Sequence, residues 1–150
     1  RTWVHEATRP GVVVLKSFGK FWGLAGMRLG FAIAPPDVIA QLATALGPWA
    51  VSGPALTIGT AALNDHEWAV ETRVRLNEDA ARMDALMIRA GARVEGGTSL
   101  FRLYEVDDAK AWQARLARHH IWSRVFPYSK TWLRLGLPAP GQWSRLEAAL

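Results

Sequence analysis

Ser17-Phe18-Gly19-Lys20-Phe21-Trp22-Gly23-Leu24-Ala25-Gly26-Met27-Arg28-Leu29-Gly30 is the stretch that decides how this chain is read. Just before it, Gly11-Val12-Val13-Val14-Leu15 is a short, continuous, β-branched run. Such a run suits a strand buried on both faces, as in a parallel sheet. The polar segment Lys16–Lys20 then falls at the strand's carboxyl edge, where open α/β sheets hold their ligands. A second strand is predicted over Met27–Ala34. By the period of two, Met27, Leu29, Phe31 and Ile33 share one face, and Arg28, Gly30, Ala32 and Ala34 the other. One guanidinium among small side chains reads as a reach toward a ligand.

The rest of the chain alternates helix and strand. A helix is predicted from Asp37 to about Leu46, stopped by Gly47-Pro48, and a shorter one after Gly53-Pro54. The longest helix should run from about Asp65 to Ala90, with Asn64 or Asp65 at its start and Gly91 at its end. Its apolar stripe is expected at Val70, Val74, Ala81, Leu86, Met87 and Ala90. Glu71–Arg75 and Glu78–Arg82 are spaced as i,i+4 ion pairs. Strands follow near 92–95 and 99–105, then a helix over 109–118 capped by Asp107 or Asp108. Two more strands, 121–126 and 132–135, precede a last helix near 142–150. This second portion reads as a small α+β lobe with helices on one side of a sheet. The expected division is 1–63 and 64–150.

Composition sets bounds on function. The chain has 150 residues, half of them hydrophobic, which is ordinary for a globular domain or for a piece of a larger protein. It starts at Arg1, a hint of a longer parent. No apolar run reaches the ~18 residues of a membrane span, and no signal peptide opens the chain. With no cysteine, disulfides and thiolate metal sites are excluded. A cytoplasmic location is the default expectation. The net charge of +5 comes from scattered arginines, and the eight tryptophans follow no fixed spacing. Neither pattern makes a nucleic-acid surface. His5, His66, His119 and His120 lack metal-ligand spacing, and the last two should point opposite ways on a strand. A phosphate-binding nucleotide loop before Lys16-Ser17 fails because Pro10 and Leu15 stand where glycines are needed.

The opening stretch resembles the pyridoxal-phosphate (PLP) attachment signature of class I/II aminotransferases and their relatives: small, any, small, Lys, then Gly-Leu-x-Gly-x-Arg-x-Gly. The resemblance implies an α/β chain: the C-terminal end of a PLP-dependent transferase large domain, with a mostly parallel sheet, plus a small α+β C-terminal domain. It implies that Lys20 carries the cofactor as a Schiff base and exchanges it with the substrate amine. Arg28 and Ser17 would hold the 5′-phosphate, and Gly19 and Gly23 would leave room for the cofactor and substrate. Arg134, in Trp132-Leu133-Arg134-Leu135-Gly136, matches the family's carboxylate anchor. It shares a face with Trp132, while Leu133 and Leu135 turn away. Arg124, on a face with Trp122 and Phe126, matches a second substrate arginine of histidinol-phosphate aminotransferase-like enzymes.

Within the family the chain is most similar to the threonine-phosphate decarboxylases of cobalamin biosynthesis. Leu46-Gly47-Pro48-Trp49-Ala50-Val51-Ser52-Gly53-Pro54-Ala55-Leu56 and the closing Trp132–Pro138 segment share in that likeness. It implies a homodimeric lyase that turns L-threonine O-3-phosphate into (R)-1-aminopropan-2-ol O-2-phosphate. The alternatives are an aminotransferase of a phosphorylated amino acid such as histidinol phosphate, and a basic interaction domain without catalysis. The family's partners for the cofactor ring lie before the lysine and cannot be placed in residues 1–19. These 150 residues alone are therefore expected to be inactive.

Overall fold

The computed structural model describes residues 2–150, which divide into two compact units at His66/Glu67. The first unit holds β1 (Val14–Ser17), β2 (Gly30–Ile33), α1 (Pro36–Leu46) and α2 (Gly53–Asn64), with 3-10 turns at Val4–Thr8 and Ala25–Met27. β1 and β2 pair antiparallel in the register Val14↔Ile33 to Ser17↔Gly30. This corrects the expectation of a strand buried on both faces. Leu15 is 76% exposed, because β1 has a single partner strand and the described residues hold no parallel pair. The run is β-branched as a buried strand would be, but among the described residues β1 has β2 as its one partner strand and the 3-10 turn Val4–Thr8 beside it.

That cluster consists of Phe18, Leu29 and Ala55, with Trp22, Leu24, Met27 and Ala62 packed around it. α2 starts cleanly: Ser52 is its N-cap and accepts from the Ala55 N–H, and Pro54 occupies the first turn. α2 reaches the cluster through Gly59, where a Cβ would run into the Leu29 Cδ2 methyl. A side chain there would force the helix away from Leu29.

The second unit follows the expected α+β plan. It comprises α3 (His66–Arg89, whose first residue lies on the other side of the division), β3 (Arg93–Gly97), β4 (Phe101–Glu105), α4 (Ala109–Arg118), β5 (Arg124–Phe126), β6 (Ser129–Gly136) and α5 (Trp143–Ala149). The four strands form an antiparallel sheet in the order β3-β4-β6-β5. Tyr104, Leu133 and Leu135 are buried at alternate positions, in one core with Met83 and Met87 of α3, Trp112 and Leu116 of α4, and Trp143 and Leu146 of α5. The helices therefore cover one face. Leu103 and Arg134, paired across β4 and β6, belong to the opposite face.

α3 departs from its expected stripe. Its buried residues are Ala69, Thr72, Leu76, Ala80, Met83, Leu86 and Met87, whereas Val70 and Val74 are 59% and 54% exposed. The observed stripe follows i,i+3/i+4 steps, and Val70 and Val74 lie one and two residues off it. The expected Glu71–Arg75 and Glu78–Arg82 pairs also give way. Arg75 bonds Asp79 at 3.2 Å, and Arg82 bonds Glu147 of α5 at 2.9 Å, where the guanidinium also lies 4.3 Å from the Trp143 ring centroid. Arg75 thus pairs along the helix with a different acid, and Arg82 takes a tertiary partner with an aromatic platform. Gly91 ends α3 as expected, with φ 97 and the Ala92 N–H bonded back to the Met87 carbonyl. α4 occupies its expected range, and the Asp108 carboxylate accepts from the Lys110 and Ala111 N–H groups.

Asp84 of α3 ties the helix to the sheet. It accepts two hydrogen bonds from Arg102, at 3.0 and 2.6 Å, and one from the Tyr104 hydroxyl at 2.8 Å. Burial pushes the Asp84 carboxyl up, but these hydrogen bonds and the Arg102 charge outweigh it and hold it below the usual carboxylate value. Its contribution to stability is therefore complete above the ordinary Asp pKa of about 3.9 and is lost as pH falls through the lower folded-state value. Urea unfolding measured from pH 7 to pH 2 should show this loss on the acid limb, and Asp84→Asn should remove its share of it. A second prediction concerns Gly97, whose φ is 129 and whose added Cβ would collide with the Phe101 carbonyl oxygen. Gly97→Ala should lower the unfolding free energy by roughly 2 kcal/mol or more.

Candidate functional site

Lys20 stands in the turn that leaves β1, exposed, with no ion-pair partner among the described residues. The loop that carries it is closed at both ends. The Phe18 N–H donates to the Leu29 carbonyl at 3.1 Å, and the Leu24 N–H donates to the Phe18 carbonyl at 2.8 Å. The Gly23 N–H bonds the Lys20 carbonyl at 3.0 Å, with Gly23 at φ 68. That turn needs a left-handed residue, which glycine supplies without strain. Across the loop, a Cβ on Gly19 would sit 3.4 Å from Ala25 Cα. Aromatic rings brace the same segment: Phe18 stacks on Trp22 at 5.5 Å, and Trp22 meets Phe21 edge-on at 5.2 Å.

Arg28 is not on a strand, contrary to expectation. Its N–H bonds the Ala25 carbonyl, which ends the 3-10 turn, and it adopts a left-handed backbone with φ 52. Leu29 and Gly30 then lead into β2. The Met27 and Arg28 N–H groups bond the Leu24 and Ala25 carbonyls within the turn, so neither donates to a ladder. A left-handed arginine costs about 1–2 kcal/mol, and such strain concentrates where a side chain must be aimed. Arg28 Nη1 bonds the Ala25 carbonyl at 3.1 Å, and the group is otherwise open to solvent. Ser17 ends β1, exposed and opposite Gly30. Together with Gly30 and Phe31 it lines a shallow concavity of about 440 Å³, to which neither Lys20 nor Arg28 contributes.

In the second unit, Arg124 and Arg134 are brought face to face as a cross-strand pair of β5 and β6. Like charges so placed repel. Neither has a carboxylate partner among the described residues. Aromatic rings serve instead: Arg134 lies 5.0 Å from the Phe101 centroid and Arg124 lies 5.5 Å from that of Phe126. Both arginines line a concavity of about 470 Å³ with Phe101, Gln113, Trp122 and Ser123. Leu133 and Leu135, at 0% and 2% exposure, turn away into the core as the alternation required. A pair of guanidiniums facing one hollow is a receptor for an anion. Trp122 is 85% exposed and precedes β5 rather than lying on it. His119 and His120 are likewise not on a strand: they close α4, His120 at φ 59. Sequence reasoning overlooked Phe101 and Gln113. Alternation with Leu103 could have flagged Phe101 once the pairing of β4 with β6 was known; nothing in the sequence flags Gln113.

Three comparisons place this architecture. The family model for aminotransferase class I and II matches residues 1–150. The chain belongs to the aminotransferase class I and II family. It is 47% identical over 133 residues to a threonine-phosphate decarboxylase of Sinorhizobium sp, covering 89% of this chain and 39% of that one. It is 43% identical over 145 residues to the threonine-phosphate decarboxylase of Pseudomonas aeruginosa, covering 96% and 44%. The chain thus spans less than half the length of either relative. Its fold matches a histidinol-phosphate aminotransferase from Sinorhizobium meliloti, solved in complex with pyridoxal-5′-phosphate, with a TM-score of 0.84 at 18% identity over 98% of this chain and 42% of the other.

The strain at Arg28 yields a prediction. Arg28→Gly relieves the left-handed backbone but adds freedom to the unfolded chain, and the two effects nearly cancel. Thermal and urea unfolding should therefore change by less than about 1 kcal/mol. A larger loss would mean that the guanidinium holds the loop together rather than reaching outward.

Proposed function

We propose that this chain is the lysine-bearing part of a pyridoxal 5′-phosphate-dependent enzyme that decarboxylates L-threonine O-3-phosphate to (R)-1-aminopropan-2-ol O-2-phosphate. The observation that carries the reading is the 47% and 43% identity to two threonine-phosphate decarboxylases over most of the chain. The donor set of the first unit supports the cofactor. An amine, a hydroxyl and a guanidinium are all exposed on one pinned loop and its flanks. Added Cβ atoms at Gly23 and Gly26 would meet nothing, so space stands open beside them. Such a set fits an aldehyde that bears a phosphate.

In this reading Lys20 would hold the cofactor through its amine and would be placed to give or take a proton at the substrate α-carbon. Arg28 and Ser17 bind the cofactor phosphate, the arginine through its planar fork. Arg134 binds the substrate carboxylate and Arg124 the substrate phosphate. Bound pyridoxal phosphate supplies the electron sink for the pair left when the bond to the carboxylate breaks. Carbon dioxide leaves and a proton takes its place. The direction in which Arg134 would hold the substrate carboxylate would decide whether that carboxylate is lost or kept. The full-length protein is read as a cytoplasmic homodimer serving cobalamin biosynthesis, and these residues alone as inactive.

Incubating the full-length protein with L-threonine O-3-phosphate and pyridoxal phosphate should release CO₂. Amine transfer to a keto acid without CO₂ would instead identify an aminotransferase of a phosphorylated amino acid such as histidinol phosphate. Neither reaction, from a folded protein, would leave a non-catalytic interaction domain. Arg134→Ala should lower kcat/KM for the phosphorylated substrate roughly 30-fold or more.

A further inference from the structure

The segment between α4 and β5 is fixed by unusual means. The His119 and Ile121 N–H groups both bond the Leu116 carbonyl at 3.0 Å, and the His120 N–H bonds that of Ala117 at 2.9 Å. His120 completes this ending in the left-handed region, a place where glycine is usual. Only Ile121, Trp122 and Ser123 then separate α4's closing turn from Arg124. Gln113 of α4 reaches across and donates its Nε2 hydrogen to the Ser123 carbonyl at 2.9 Å. A carbonyl can only accept, so this bond fixes which way the amide points. Ser123 itself is 3% exposed, and its own Oγ has no partner.

β5 needs such a hold. It is the edge strand of the sheet, it spans only Arg124–Phe126, and its register with β6 shifts between Val125 and Phe126. Its first residue faces a like charge at Arg134. Like charges placed opposite each other disfavour the pairing of so short a strand. We infer that Gln113 is a positioning residue for Arg124. Its hydrogen bond to Ser123 sets where the Arg124 guanidinium stands relative to Arg134, and so sets the affinity of the hollow for a doubly anionic substrate. The inference rests on the reading of Arg124 as a substrate-phosphate ligand.

The test is a double-mutant cycle in the full-length enzyme with L-threonine O-3-phosphate. Gln113→Met keeps length and helix propensity and removes the donor. It should raise KM roughly 3- to 10-fold with little change in kcat, as loss of one neutral hydrogen bond allows. In an Arg124→Ala background the same change should have almost no further effect on KM, because the group it positions is gone. Unchanged KM in Gln113→Met, or an equal rise with and without Arg124, would overturn the inference. Equal losses of kcat and stability with no KM effect would also overturn it, marking Gln113 as merely structural. Should Gln113→Met not fold, Gln113→Leu carries the test by the same criteria, since it is uncharged, keeps helix propensity and lacks the donor. Arg124→Ala alone separates the two readings. If it leaves KM unchanged, the substrate role of Arg124 fails and this inference falls with it. If it raises KM and Gln113→Met does not, only this inference fails.

Discussion

Phe18 closes the loop that presents Lys20. Its N–H is spent on the Leu29 carbonyl and its own carbonyl on the Leu24 N–H. Its ring, 2% exposed, packs with Leu29 and Ala55 and stacks on Trp22. One residue thus ties both edges of the loop by backbone hydrogen bonds and sinks the knot into the local core. Burying such a ring is worth roughly 2–3 kcal/mol, and the two hydrogen bonds fix direction more than they add energy. The other features of the unit follow. Gly59 lets α2 approach Leu29, Gly23 takes the left-handed turn, and Arg28 accepts backbone strain where the loop rejoins β2. Lys20 is left exposed on a backbone that has little freedom to move.

The second unit solves a different problem with the same economy. Alternation along β6 sends Leu133 and Leu135 into the core and reserves the other face for Trp132 and Arg134. The helices on the core face, with Asp84 clamped by Arg102 and Tyr104, hold the sheet still. The free face then carries two arginines without acids, resting on Phe101 and Phe126.

Much of this was legible in the sequence where a local rule had no competitor. The helix over 109–118 begins at an Asp cap, and Gly91 marks the end of α3 because it takes φ 97 without strain. The Lys20 signature located the loop, and period-two reasoning oriented Arg134. Failures arose where a rule depended on partners the sequence does not show. The run 11–15 reads as a doubly buried strand, but burial is a property of neighbours, and β1 has one partner strand among the described residues. Alternation extends backward through Met27 and so places Arg28 on a strand; the turn that ends there is held by backbone hydrogen bonds that leave no compositional trace beyond Gly26. Val70 and Val74 looked like core because hydrophobicity was read without the exact phase of the helix. Gln113 was invisible, since a single side-chain bond to a carbonyl has no sequence pattern.

The central claim is that the Lys20 amine is the group that holds the cofactor. Reducing the full-length protein with borohydride in the presence of pyridoxal phosphate, then digesting it and sequencing the labelled peptide by mass spectrometry, asks this directly. The expected result is one pyridoxyl-modified peptide, with the modification on Lys20. Label on Lys16 in place of Lys20, or no label on the Ser17–Arg28 loop, would contradict it.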